Sequence, residues 1–289
     1  MWGGNAVSGG YTDGRGNFKG EVEIRMTNAQ VRMQSRSGGS SFSISPCSPT
    51  PLILTKDMLE SLKHEVCEAN RALETSGLVR LTWGNVSGID RASGLWCIKP
   101  SGVAYAALTP DDLVVLDLDG KVVEGNLRPS SDTKTHLHLY REFTEIGGIT
   151  HTHSAHATIF AQAARELPCF GTTHADHFYG TVPVARALTE AEIEADYEHN
   201  TGVAIVECIR ARGLKPLEMP AVLQAHHAPF TWGKSAMDSL HNSIALEMCA
   251  QMALGSLLLR PGLKEIPAHI LEKHHQRKHG PGAYYGQKK

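Results

Sequence analysis

The chain has 289 residues and carries 28 Lys and Arg against 30 Asp and Glu, a net charge of −2. So even a balance leaves no basic stripe for nucleic acid or an acidic membrane surface, and no apolar run approaches the roughly 18 residues of a membrane span. The length suffices for a sizeable core, and six scattered cysteines (Cys47, Cys67, Cys97, Cys169, Cys208, Cys249) without a C-x-x-C pair fit a reducing, cytoplasmic setting better than a disulfide framework.

Residues 1–54 differ from the rest. Met1 to Gly20 is rich in glycine, and Arg36 to Pro51 is rich in Ser, Gly and Pro. Without an apolar face to bury, this extension is expected to be disordered. Met26 to Leu54 lacks acidic residues and holds Arg32, Arg36 and several serines, a weakly transit-like composition. The ordered domain is expected to span residues 55–289. Leu59, Leu62, Val66 and Leu73 recur at helical spacing, with Gly77 as the stop. Strands are predicted at Val86–Ile89 and Leu95–Ile98 around Ser93-Gly94, then at Leu113–Leu118 and Lys121–Val123 around the hairpin pair Asp119-Gly120. A helix follows Ser131-Asp132. A short strand is predicted at Ile149–His153, and a helix entered through Ser154 at Ala155–Arg165. Thr189 with Glu192 forms a capping-box pattern, Val203–Arg212 reads as helix closed by Gly213, and Val222–His226 reads as strand. Ser235 with Asp238 opens a long helix, and Pro267 a last one ending near Gly280. Hairpins interleaved with helices predict an α/β fold, a single layered domain whose central sheet is mixed or antiparallel.

Of sixteen histidines none precedes His64, and His136, His138, His151, His153, His156, His174 and His177 crowd one stretch. Imidazole is the commonest protein ligand for zinc. In Gly147-Gly148-Ile149-Thr150-His151-Thr152-His153 the two histidines stand two apart, so on a strand they share a face. At the strand rise they lie roughly 6.5–7 Å apart at the backbone, near enough to converge on one ion. Catalytic zinc usually takes three protein ligands and keeps one position open, and the third is expected within Ala225-His226-His227. The bland alternative for the pair is an exposed polar face.

Three turns combine small residues with donors: Trp83-Gly84-Asn85, Lys99-Pro100-Ser101-Gly102 and Pro129-Ser130-Ser131-Asp132. The last opens a helix, whose free N–H groups favour an anion. Each alone is an ordinary turn or cap. Beside a metal site they point to a small phosphorylated substrate, and none matches a Walker loop or a dinucleotide fingerprint.

The stretches LTWGNVSGIDRASG, IKPSGV, VVEGNLRPSSDTKTH, GGITHTHSAHATIFAQA, GTTHADHFYGTVP, HAPFTWGK and RKHGPGAYYGQ, in this order over about residues 57–287, resemble the epimerase branch of the class II aldolase/epimerase family. The resemblance implies an α/β/α three-layer domain in a fourfold-symmetric homotetramer, with active sites at subunit contacts. It implies zinc-dependent epimerisation at carbon 4 of L-ribulose 5-phosphate to D-xylulose 5-phosphate, a step of pentose and arabinose metabolism, by retro-aldol cleavage and re-addition. His151, His153 and His227 are then the zinc ligands, with Asp132 at or beside the metal; Mn²⁺ or Co²⁺ are alternative ions. Gly84, Asn85, Ser101, Gly102, Ser130 and Ser131 are the implied substrate contacts, with Lys99, Thr172 and His274 in support. Asp176 and Tyr285 are the implied acid/base pair. The chain departs from the family pattern at Ala225 and Ala228, where an H-x-H-G arrangement is usual, and at His177, where an aromatic is usual.

Two other readings compete. A fuculose-phosphate-like aldolase would cleave the same type of bond and release the products. A non-catalytic module like an adducin head would lack the zinc histidines.

Overall fold

The computed structural model describes residues 6–12, 18–27, 30–35 and 56–284, with side chains from Met58 onward. The chain divides into two units, Met1–Ile53 and Leu54–Lys289. In the first, strands β1 (Ala6–Thr12), β2 (Phe18–Thr27) and β3 (Gln30–Ser35) form an antiparallel sheet in that order. These strands lie within the segment that composition led us to expect without order. Val22, Ile24 and Met26 alternate with Glu21, Glu23 and Arg25, a period of two that glycine-rich composition masks.

The second unit begins with α1 (Lys56–Thr75), whose apolar positions bury Val66 and Leu73, and which ends before Gly77 at φ +77°. Strands β4 (Asn85–Asp90), β5 (Leu95–Ile98), β6 (Val114–Leu116) and β7 (Val122–Glu124) follow. Next come α2 (Thr133–Glu142), β8 (Gly148–His151), α3 (Ala155–Gln162), α4 (Thr172–Ala175) and β9 (Val184–Ala185). The rest is α5 (Glu190–Ala211), β10 (Ala221–Gln224), β11 (Pro229–Gly233), α6 (Ala236–Leu259) and α7 (Ala268–His279). Eight strands form one sheet in the order β7-β6-β5-β4-β8-β11-β10-β9. All neighbours are antiparallel except β9 and β10, so the sheet is mixed, as expected.

Alternation along the strands covers both faces. Val86, Cys97 and Val115 pack with α1, while Trp96, Ile98, Val114 and Leu116 pack with Leu139 and Tyr140 of α2. The predicted caps form: Thr189 and Glu192 make a reciprocal capping box, and Ser235 accepts from the Asp238 N–H. Two strands escaped the sequence patterns. β9 has only two residues, and β11 (PFTWG) is framed by Pro and Gly, which normally mark turns. β8 stops at His151, so His153 lies just past the strand rather than within it.

The expectation about apolar runs also needs correction. α6 has 24 residues, and an 18-residue window within it has a mean hydropathy of 1.3, long and apolar enough by composition to cross a bilayer. Asp238, His241, Asn242, Glu247 and Gln251 interrupt it as a run, yet the window mean stays high. Here it packs on the sheet and places Leu240, Leu246, Cys249, Ala250 and Ala253 in the core.

Gly148 shows how tightly α6 and β8 meet: a Cβ there would lie 2.3 Å from the Ser235 carbonyl oxygen. That contact anchors the start of the strand that carries His151.

Candidate metal centre and substrate pocket

The sheet register builds the site. Asn85 of β4 and Phe230 of β11 both pair directly with His151 of β8, so the three side chains stand in a row on the face covered by α2. His151 is 2 % exposed, stacks on Phe230 with ring centroids 4.2 Å apart, and donates Nδ1–H to the Pro229 carbonyl at 3.0 Å. That bond leaves Nε2 for a ligand. His153 follows beyond the strand end. His227 comes from the turn between β10 and β11. The three rings form a near-equilateral triangle, with centroids 5.0, 4.9 and 5.0 Å apart, and their ligand atoms lie within 4.8 Å of one another.

Three nitrogens around tetrahedral zinc sit roughly 3.4 Å apart at Zn–N bonds of ~2.1 Å, so small rotations close the set. Two further observations fit a metal. Burial and the neighbouring imidazoles push His151 and His227 each down to about 3, and burial lowers His153 against the pull of Asp132. All three rings are therefore neutral and offer lone pairs. The buried Nδ1 of His227 also has no hydrogen-bond partner among the described residues. Between His226 and His227 the backbone decides which ring turns inward. His226 sits at φ +60° and is exposed, while His227 lines the pocket.

Asp132, at the N-cap of α2, faces the same pocket. Asn85 Nδ2 donates to its Oδ2 at 2.6 Å and to Ser130 Oγ at 3.1 Å. Gly84 lies just before Asn85 at φ +110°, and a Cβ there would come within 2.7 Å of the His151 carbonyl oxygen. Glycine is what lets this turn approach the strand that carries His151.

The pocket has a volume of about 570 Å³. Part of its lining is two loops held side by side: Ser101 N–H donates to the Arg128 carbonyl at 2.9 Å and Ser130 N–H to the Lys99 carbonyl at 3.2 Å. Gly84, Asn85, Lys99, Ser101, Gly102, Ser130, Ser131 and Asp132 all line it. Lys99 is its one unusual group. It is 2 % exposed, its Nζ donates to the Pro100 carbonyl at 3.2 Å and lies 4.8 Å from the centre of the Tyr105 ring. Among the described residues no carboxylate pairs with it. Burial lowers it to about 8, so an incoming anion is its natural counter-charge.

Asp176 and His274 form a second cluster, apart from the lining of this pocket. Asp176 closes α4 and is gripped by α7: Arg277 Nε and Nη2 reach its two oxygens at 3.0 and 2.5 Å, and His274 Nδ1 is 3.1 Å from Oδ1. Burial works to raise this carboxyl, but the Arg277 and His274 bonds outweigh it and hold it below the usual range. Thr172, the first residue of α4, is exposed and also outside the pocket lining. Tyr285 lies outside the described residues.

The sequence reading missed Tyr197 and Glu198, which also line the pocket. α5 breaks its helical geometry at Asp196 (φ −169°, ψ 91°), where Lys134 Nζ meets Asp196 Oδ2 at 2.6 Å, and the next two residues reach the site. No periodic pattern announces such a break. The tetrad Tyr197-Glu198-His199-Asn200 is ordinary helix-surface sequence.

The model for the class II aldolase and adducin N-terminal domain matches residues 64–254. Two relatives, from Salmonella paratyphi A and Salmonella typhi, each carry the description L-ribulose-5-phosphate 4-epimerase UlaF. Each is 52 % identical over 230 residues, covering 80 % of this chain and all of the relative. Among solved structures, an L-fuculose 1-phosphate aldolase superposes with a TM-score of 0.64 at 26 % identity, over 75 % of this chain and 95 % of that one. An L-fuculose-1-phosphate aldolase from Thermus thermophilus shares the fold at TM-score 0.55 and 23 % identity, over 71 % of this chain and 98 % of that one. The chain belongs to the class II aldolase and adducin N-terminal domain family.

Proposed function

We propose that this class II aldolase family member epimerises L-ribulose 5-phosphate at carbon 4, giving D-xylulose 5-phosphate, with zinc at His151, His153 and His227. The observation that carries the reading is the triangle of neutral histidines opening onto a pocket that is also lined by a buried lysine with no carboxylate partner among the described residues. The relatives at 52 % identity support the choice of sugar. The same triangle speaks against a purely structural module of the adducin-head kind.

The carbon-4 proton is not acidic enough for direct removal. The route is cleavage of the bond between carbons 3 and 4, rotation of the aldehyde, and re-addition to its other face. A divalent ion at the histidines, Zn²⁺ or in its place Mn²⁺ or Co²⁺, supplies Lewis-acid stabilisation of the charge that develops on the substrate's ketone side. In cleavage the carbon-4 hydroxyl loses its proton as it becomes an aldehyde. In re-addition from the opposite face the new alkoxide gains one. Each face therefore needs its own proton carrier, the roles we give Asp176 and Tyr285. Their ordinary pKa values, ~3.9 and ~10, differ widely, so their surroundings must retune at least one of them. Lys99 and the Ser101–Gly102 and Ser130–Ser131 loops hold the phosphate. Asn85 orients Asp132 beside the metal, and Thr172 and His274 support the substrate from the second cluster.

Asp176 and His274 lie outside the pocket lining of their own chain. We therefore assign them, with Tyr285, to the neighbouring site of a homotetramer. Ile244, Met248 and Met252 recur every four residues as an exposed apolar stripe on α6 that suits subunit contact. The free thiols among the described residues accord with a cytoplasmic setting.

The direct test is an epimerisation assay on L-ribulose 5-phosphate and D-xylulose 5-phosphate with and without a chelator. Steady release of dihydroxyacetone and glycolaldehyde phosphate would mark an aldolase instead. Mixing inactive His153→Ala and Asp176→Asn subunits tests the shared site: mixed tetramers should regain part of the activity, and a mixture that stays dead would count against it.

A further inference from the structure

One buried aromatic ring touches two parts of the pocket lining and is not used by the mechanism above. Tyr105 opens a short 3₁₀ turn (Tyr105–Ala107) that follows the Lys99–Gly102 loop. It is 0 % exposed and belongs to the core cluster that also holds Val66, Leu73, Val86 and Leu108. Its hydroxyl donates to the Gly84 carbonyl at 2.8 Å. Its ring lies under Lys99 Nζ, which is 4.8 Å from the ring centre. Gly84 and Lys99 both line the pocket, and Tyr105 does not. Any effect it has on a bound substrate therefore passes through those two residues.

Lys99 needs such a neighbour if it is to serve an anion. Its ammonium is a compact charge with three donors on a flexible four-carbon stem. Among the described residues the Pro100 carbonyl, at 3.2 Å, is the one hydrogen-bond acceptor it meets. A cation taken out of water in this way is driven to lose its proton or to swing back to solvent. A carboxylate beside it would hold the charge, but would also neutralise it and compete with phosphate. The face of an aromatic ring attracts a cation within about 6 Å and carries no net charge, so the ammonium keeps its full charge for an incoming anion. The ring can do this only while its face stays turned to Nζ. The bond from its hydroxyl to the Gly84 carbonyl fixes that orientation by tying the far end of the side chain to the turn before β4. β4 is anchored in its own right just beyond that turn: Asn70 Nδ2 donates to the Val86 carbonyl at 2.9 Å, and Val86 N–H donates to Asn70 Oδ1 at 2.8 Å.

We propose that Tyr105 is a positioning residue for the phosphate end of the substrate: its ring face holds the Lys99 ammonium in place as an uncompensated positive charge, and its hydroxyl locks the ring through the Gly84 turn. A desolvated contact between a cation and a ring is strong enough to change an affinity roughly tenfold. The inference rests on the reading of Lys99 as a phosphate contact.

Three replacements separate the charge distribution of the ring from its packing. Tyr105→Phe keeps the ring and gives up the Gly84 bond. Trifluorophenylalanine introduced at position 105 by amber suppression keeps nearly the shape of Phe but drains the negative face of the ring. Tyr105→Leu removes the ring altogether. The Leu108 carbonyl, just after the same turn, accepts from Arg71 Nε and Nη2 at 3.0 and 2.6 Å, which keeps the segment seated without the tyrosine hydroxyl. Binding of inorganic phosphate to the full-length, zinc-loaded protein is read by titration calorimetry, and zinc affinity by chelator competition. Phosphate affinity should fall from wild type to Phe, and then by roughly three- to tenfold from Phe to the trifluoro form, with Leu at least as weak. Zinc affinity should be the same in the Phe and trifluoro forms. A side chain that only fills the core predicts no difference between those two, so equal phosphate affinity overturns the proposal, and the comparison decides even where the Leu variant does not fold. A loss of zinc affinity that matches the loss of phosphate affinity marks a general disturbance of the site and also overturns it. A Phe variant that binds phosphate as tightly as wild type removes the hydroxyl lock from the proposal. A wild-type protein that does not bind phosphate would overturn the reading of Lys99 itself, and this inference with it.

Discussion

Replacing Lys99 with methionine should make the apoprotein more stable while crippling its hold on phosphate. Lys99 is 2 % exposed, and burial lowers it from 10.5 to about 8. At 1.36 kcal/mol per pH unit, keeping it charged at pH 7 costs about 3 kcal/mol. The bond to the Pro100 carbonyl and the approach to the Tyr105 ring return about 1–2 kcal/mol of this. Methionine fills a similar volume without the charge, so a net gain of about 1–2 kcal/mol is expected, which at 2–4 °C per kcal/mol raises the thermal midpoint by roughly 2–8 °C. The pH dependence fixes the sign. The folded-state pKa is lowered, so the unfolded chain binds more protons between about 8 and 10.5. Wild-type stability therefore carries the full cost below pH 8 and recovers it as pH rises toward 10.5. The gap between Lys99→Met and wild type should be widest at pH 7 and close by pH 10. Differential scanning fluorimetry with and without inorganic phosphate reads both effects. Phosphate should stabilise wild type and leave the variant unmoved. A variant that melts below wild type at pH 7, or that keeps the full phosphate response, would refute the reasoning.

Other perturbations probe the rest of the site. His151→Ala and His153→Ala should lose bound metal and turnover together, checked by metal analysis of the purified proteins; full zinc occupancy in either would remove it from the ligand set. Gly84→Ala combines φ +110° with a Cβ 2.7 Å from the His151 carbonyl oxygen. It should cost about 1–3 kcal/mol in stability and weaken metal binding, whereas an unchanged melting curve would show that the turn relaxes freely. Arg277→Gln removes the largest of the interactions that hold the Asp176 carboxyl down and leaves the His274 bond and the Lys278 charge against burial. A lowered carboxylate contributes stability that is lost as pH falls through its folded value, so the variant should lose stability and activity at a higher pH than wild type on acidification. Identical acid limbs for the two proteins would argue against that coupling. Tyr285→Phe should keep its metal and lose turnover by 10²–10⁴-fold, and normal rates would rule out the proton-transfer role.

Much of the architecture was legible because it is local. The capping box of Thr189 and Glu192, the Asp119-Gly120 hairpin and the stop at Gly77 each encode a backbone geometry within a few residues. At the amino-terminal unit the alternation of β2 is local as well, Val22, Ile24 and Met26 against Glu21, Glu23 and Arg25. Short or Pro- and Gly-bounded strands such as β9 and β11 carry too little pattern to register. By itself the sequence determined that His151 and His153, two residues apart at the end of a strand, lie close enough to share one ion. Only the tertiary structure decided the third corner. β11 beside β8 brings the turn carrying His227 to the pair, the positive φ of His226 selects which ring enters, and α2 lying across β4 seats Asp132 and His136 behind it. Those choices depend on which distant strands become neighbours, and sheet order arises from burying both faces at once, a property of the whole chain rather than of any window within it.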